Sequence, residues 1–254
     1  MSESYYEQLC KDDIISKAKT LMRNKGYYLR DIDGKITVDT RTGWDTPWHH
    51  VKHSDKLNCH YWHSVLFDVF SMQLPTEKRF VPLGCLDCYK VVVRPKTLKQ
   101  LFALLEIQKQ LDRPCKLGIE TRDTVHGLYG GYFYNRGLDN GIECYKVVRS
   151  AVDNNEILGP EVEVLLKRAC TEFEHAIGPS DKWEIKPGQI ELEQLVSQKF
   201  VVDPQLRIQP DHAITYVHRR WIEWAYKNGD STYLEYTNGK SIYPKYVTYH
   251  HMAA

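Results

Sequence analysis

The chain has 254 residues, of which 42% are apolar and 26% charged, and its formal charge is +1. That is enough apolar chain to bury a sizeable core, which excludes a disordered polymer. The near-zero charge excludes nucleic-acid binding by global attraction, so any polyanion site has to be a local patch. No apolar run approaches the roughly 18 residues of a membrane helix. Met1–Glu7 carries neither a basic region nor an apolar stretch, so no secretory signal is expected there. Seven cysteines, an odd number, point to reduced thiols in a cytoplasm-like compartment.

In chain order, residues 4–25 predict a helix, with Tyr5, Leu9, Ile14, Ala18, Leu21 and Met22 on one stripe and Gly26 to stop it. Asp33-Gly34, between 27–30 and 35–38, predicts a hairpin. Residues 40–53, rich in Trp and His, read as loop. Ser54 is placed to cap a helix running to about Met72, and 75–84 reads as a connector. Tyr89–Arg94 predicts a strand, and Pro95 breaks it. Thr97 then caps a helix through Leu111. Lys116–Arg122 and Gly131–Asn135 predict two more strands, Asp139–Val152 a helix, and Val162–Ala169 a fourth strand. Ile190–Lys199 and a helix starting at Asp211 and ending before Gly229 follow. Asn238-Gly239, between 233–236 and 241–243, predicts a second hairpin, since Asn-Gly suits a type I′ turn.

The order over 88–169 is β-α-β-β-α-β, a split-βαβ arrangement, so the expected class is α+β with a ferredoxin-like core. Part of a parallel β/α barrel is the rival, because the link between the second and third strands is long for a hairpin. The chain is expected to be a single domain: an N-terminal segment 1–84, a core 85–175 and a C-terminal elaboration 176–254.

The sharpest motif is Cys85-Leu86-Asp87-Cys88. Two thiolates three positions apart on a tight turn both reach one soft cation at about 2.3 Å. Cys59 and His63, spaced i and i+4 on the expected helix, would complete a tetrahedral zinc site. A competing quartet joins Cys85 and Cys88 to Cys115 and Cys170, which suits zinc or an iron–sulfur cluster. Buried unliganded thiols are the plainer alternative.

Arg94 and Arg122 finish strands, where α/β proteins place ligand groups, and guanidinium forks suit phosphate or carboxylate. Glu120 is the candidate acid or base, and Glu172–His175 a further acid–base pair. An antiparallel core would leave Arg94 and Arg122 at one end and Arg136, Lys167 and Arg168 toward the other. In Tyr129–Arg136, alternation puts Tyr132 and Tyr134 on one face, where paired aromatics can stack single-stranded bases; packing beneath flanking segments is the plainer role. No phosphate-loop, dinucleotide, serine-hydrolase or zincin motif occurs. Three expectations follow. One is a zinc enzyme acting on a phosphate-bearing substrate, a nucleotide or nucleic acid among them. Another is a zinc-stiffened, non-enzymatic module binding single-stranded nucleic acid or a protein. The last is an iron–sulfur protein. Oligomeric state is not legible.

Overall fold

The computed structural model describes residues 14–24, 28–32, 35–39, 47–52, 59, 61–202 and 209–250. They form a mixed α/β structure built on two sheets.

The smaller sheet joins β1 (Tyr28–Ile32), β2 (Lys35–Asp39) and β8 (Phe200–Val202). β1 and β2 pair antiparallel as the Asp-Gly signal predicts, while β8, which sequence patterning missed, adds parallel to β2. Helix α1 (Ile14–Asn24), a π-helix over Tyr61–Phe70 and helix α5 (Gln189–Lys199) accompany this sheet. Ala18 and Met22 of α1 pack there with Ile36, Val65, Leu66, Val69, Phe70, Leu192, Val196 and Phe200. The first residues of the expected N-terminal helix, both predicted turn residues Asp33-Gly34 and the predicted cap Ser54 lie outside the described residues.

The larger sheet holds β3 (Trp48–Lys52), β4 (Cys88–Arg94), β5 (Cys115–Ile119), β6 (Tyr129–Arg136) and β7 (Glu163–Arg168). Its order is β3-β5-β6-β4-β7, and every neighbouring pair is antiparallel. The parallel-barrel alternative is therefore wrong: the sheet is open, with β3 and β7 at its edges. The expectation of loop over 40–53 is also corrected at Trp48–Lys52. That stretch lacks clean alternation, but Trp48 and His49 are both buried where the edge strand docks. Gly118 permits the approach, since a Cβ there would stand 2.2 Å from the Pro47 carbonyl oxygen.

Helices α2 (Leu98–Leu111), α3 (Leu138–Asp153) and α6 (Asp211–Lys227) cover one face of this sheet. Thr97 caps α2 as expected, its hydroxyl accepting from the Gln100 N–H at 3.2 Å. The core between the layers holds Val91, Val93, Leu101, Leu104, Leu117, Phe133, Cys144, Val148 and Trp221. Burying side chains of this size stabilises by about 1.5–3 kcal/mol each before entropy is counted.

The second predicted hairpin does not form: Ser231–Tyr236 is a 3₁₀ helix. Asn238 and Gly239 do take φ of +54° and +72°, as their sequence demands. The Gly239 N–H, however, donates to the Leu234 carbonyl at 2.9 Å and closes a helix end instead of a strand pair. The preceding segment serves α2: the Asp230 carboxylate accepts from the Leu98 N–H at 2.5 Å and from the Tyr129 hydroxyl at 2.9 Å.

Candidate functional site

Strand alternation sends Val91 and Val93 toward the helices and leaves Lys90, Val92 and Arg94 on the second face of the sheet. Cross-strand pairing adds Tyr134 opposite Lys90, Tyr132 opposite Val92 and Lys167 opposite Lys90 on the other side. Two linked polar centres lie on this face.

The first centre is built on Cys170. β7 ends at Arg168, Ala169 takes φ of +46°, and helix α4 (Thr171–Ile177) begins directly after Cys170. Left-handed backbone at alanine is strained, and such strain persists only where the surroundings impose it. Here it turns Cys170 onto the second face, where the Lys90 ammonium donates to its sulfur at 2.9 Å. Lys90 is only 7% exposed, so its charge is poorly screened. Burial by itself would push the Cys170 thiol up. The Lys90 ammonium, with His63, outweighs that and holds it below its ordinary value. The same pairing keeps Lys90 charged despite its burial.

His63, on the π-helix, stacks on Phe173 of α4 with ring centroids 5.4 Å apart. Its Nδ1 lies 3.6 Å from the Asp68 carboxylate. Burial opposes its protonation, but Asp68 and Cys170 together raise its pKa. Cys59, Cys85 and Cys88 surround the same spot, each within electrostatic reach of Cys170. Burial is the leading cause that raises all three, Cys88 to about 11. Gly84 makes room for the packing around Cys85, since the Trp62 indole occupies the place of its absent Cβ.

The second centre is an arginine–carboxylate network. Arg122 forks onto Glu120, Nε to one oxygen at 2.7 Å and Nη2 to the other at 2.5 Å, and its Nη1 donates to Glu172 at 3.0 Å. The Tyr132 hydroxyl donates to Glu120 at 2.7 Å and accepts from Arg122 and Arg94 at 2.9 and 3.1 Å. The Glu120 side chain is fully buried. Burial would raise its pKa, yet the hydrogen bonds from Arg122 and Tyr132 hold it below the usual carboxylate value. Glu172, two residues after Cys170, joins the centres. Its second oxygen and the Arg94 Nε are buried without a hydrogen-bond partner among the described residues.

The structure thus unites Arg94, Arg122, Glu120 and Tyr132 and gathers Cys59, Cys85, Cys88 and His63 around Cys170. It separates Cys115 from them. Cys115 lies on the helix-covered face with Leu117 and Phe133, because odd-numbered residues of β5 point that way. The quartet of Cys85, Cys88, Cys115 and Cys170 is therefore corrected: the sheet stands between Cys115 and Cys170. Among the described residues, no three of His, Cys, Asp and Glu stand at a spacing that holds a metal ion.

Tyr132 is 5% exposed and meets Trp48 edge-on at 5.5 Å, so its ring is covered. Tyr134 is partly buried beside Lys90, whose ammonium lies 5.5 Å from its ring centre. In the segment Glu172–His175, Glu172 is committed to Arg122 and Glu174 accepts from Lys167 at 2.7 Å. Arg136 and Arg168 bond the Gly84 and Leu86 carbonyls instead of joining Arg94 and Arg122. Sequence patterning named Cys170 only as a metal ligand and left Lys90 unremarked. The available signal was a lone lysine inside an otherwise apolar strand, Lys90-Val91-Val92-Val93.

No family model matches the chain, and neither curated proteins nor solved structures give a significant match. Among the described residues, no helix is long and apolar enough to cross a membrane.

Proposed function

We propose that the chain is a thiol-dependent enzyme in which Cys170 attacks an electrophile and the arginine network receives an anionic, phosphate- or carboxylate-bearing substrate. The contact between the Lys90 ammonium and the Cys170 sulfur at 2.9 Å carries this reading. A buried cation against a thiol favours the thiolate, which is the nucleophilic form. Arg94 supports the anionic substrate, since its buried Nε is a donor without a partner among the described residues. Glu120 serves to orient Arg122 and Tyr132, because a carboxylate held ionised by four donors, three on Arg122 and the Tyr132 hydroxyl, is a weak base. Reduced thiols suit a cytoplasmic setting.

The core carrying these groups is read as ferredoxin-like, with β3 added at one edge. The order β5-β6-β4-β7 with antiparallel neighbours supports this, as do α2 after β4 and α3 after β6.

Competitive alkylation tests the thiolate. With limiting iodoacetamide at near-neutral pH, Cys170 is expected to label well ahead of the other cysteines, and Lys90→Met to remove that lead. Uniform labelling across the cysteines refutes a nucleophilic Cys170.

A second reading keeps the metal. Cys59, Cys85, Cys88 and Cys170 all bear electrostatically on one another, and a soft ion drawing such thiols together would hold them as zinc or an iron–sulfur cluster does. Elemental analysis decides. One zinc per chain, lost in Cys88→Ser, supports a zinc site, iron supports a cluster, and neither metal refutes both.

A further inference from the structure

Cys88 opens β4, and Cys170 follows the end of β7. In the ladder between these strands Tyr89 stands opposite Arg168. The Ala169 N–H donates to the Cys88 carbonyl at 2.8 Å, so the ladder runs one step further and sets Cys88 against Ala169. Regular alternation would send residue 170 to the helix side of the sheet. The φ of +46° at Ala169 breaks the alternation. Cys170 meets Lys90 instead, and Lys90 leaves β4 on the same face as Cys88, two positions away. The two cysteines therefore share a face, one step apart across a ladder whose strands run about 4.8 Å apart. A disulfide needs Cα atoms about 4.4–6.8 Å apart, and Cys170 follows directly on Ala169, the residue set against Cys88.

We infer that Cys170 and Cys88 are a redox pair that reduces a peroxide and closes as a disulfide. The inference rests on Cys170 being the nucleophile. The Cys170 thiolate attacks the outer peroxide oxygen, the O–O bond breaks, and the leaving oxygen departs as hydroxide or alkoxide and takes a proton from water. Cys170 is then a sulfenic acid. The Cys88 sulfur attacks it, the S–O bond breaks, and water leaves with the Cys88 proton. Two electrons pass from the two sulfurs to the peroxide, and an external thiol reductant restores the pair.

The environments divide the labour. Lys90 favours charge on the attacking sulfur. Cys88, partly buried at the start of β4, supplies the second sulfur. Cys59 and Cys85, both within electrostatic reach of Cys170, are the rival partners, but among the described residues no strand pairing places either beside residue 170.

The experiment uses the reduced full-length protein, treated with equimolar hydrogen peroxide. Free thiols are then blocked with N-ethylmaleimide, and the protein is digested without reductant. The expected product has lost two hydrogens and yields a peptide joining Cys88 to Cys170, reopened by dithiothreitol. In Cys88→Ser, dimedone is expected to trap sulfenic acid at Cys170. A link from Cys170 to Cys59 or Cys85, or sulfinic acid at Cys170 without any disulfide, overturns the pairing while leaving the nucleophile intact. A Cys170 inert to both peroxide and iodoacetamide overturns the nucleophile itself. The wild-type peptide map gives these answers even if Cys88→Ser fails to fold.

Discussion

Acidification should loosen this protein through one buried histidine pair. His49 of β3 and His218 of α6 are linked Nδ1 to Nε2 at 3.0 Å, packed against Trp221 and Phe102. Burial first, then His218 and Lys109, lower His49 from 6.5 to about 4. Burial and Lys109 lower His218 likewise to about 4. A base whose pKa falls on folding binds its proton better in the unfolded chain. Its contribution is therefore complete above pH 6.5 and is lost as pH falls toward about 4. Each tenfold change in proton affinity is worth about 1.4 kcal/mol, so His49 alone accounts for about 3 kcal/mol across that window. His218 is less buried and adds a smaller share. Urea unfolding in steps from about pH 7.5 to about pH 5 reads the slope, with about 1.4 kcal/mol per pH unit expected for each proton taken up. Glu120, Glu172 and Glu174 are held below 4.5 and act at lower pH, while Glu193, raised by burial, and His63, raised by Asp68 and Cys170, act in the opposite sense. His49→Gln with His218→Gln should flatten the profile. A wild-type midpoint that does not move over this range, or a double variant with an unchanged slope, refutes the reasoning.

Gly131→Ala should cost about 1–3 kcal/mol by overpacking, because its Cβ would stand 2.3 Å from a Leu104 methyl. Leu104→Ala alone should cost about 2–5 kcal/mol, and the pair should cost less than the sum, read from denaturant midpoints. Asp230→Ala strips acceptors from the Leu98 N–H and the Tyr129 hydroxyl and should lower stability by about 2–3 kcal/mol. A thermal midpoint within error of wild type counts against that cap. Glu120→Gln should lower stability by about 2–3 kcal/mol, because it removes the buried counter-charge facing Arg94 and leaves Arg122 with Glu172 alone. An unchanged midpoint with lost reactivity at Cys170 would instead make Glu120 a direct participant.

Local signals were legible wherever chemistry acts over a few residues. Thr97 announced the start of α2, Asp33-Gly34 the β1–β2 pairing, and the apolar periodicity of 98–111 and 138–153 the helices that cover the sheet. β3 was not legible, because its five residues Trp48–Lys52 become a strand only by docking on β5. The Asn238-Gly239 turn shows the same limit from the other side. Its dihedral angles were dictated locally, but what it joined was decided by Asp230 and Thr232 capping α2 from 132 and 133 residues away.

The site divides in the same way. The sequence alone marked Cys85, Cys88, Arg94, Glu120, Arg122 and Tyr132 as chemistry-bearing, because such side chains at strand ends are recognisable from type and spacing. The tertiary structure decided which of them meet. It put Cys115 behind the sheet, seated Arg122 on Glu120, and brought Lys90 to Cys170 across 80 residues of chain. That last contact depends on strand pairing and on one left-handed alanine, Ala169. Neither leaves a trace in composition or periodicity, since register is a relation between segments and not a property of either one.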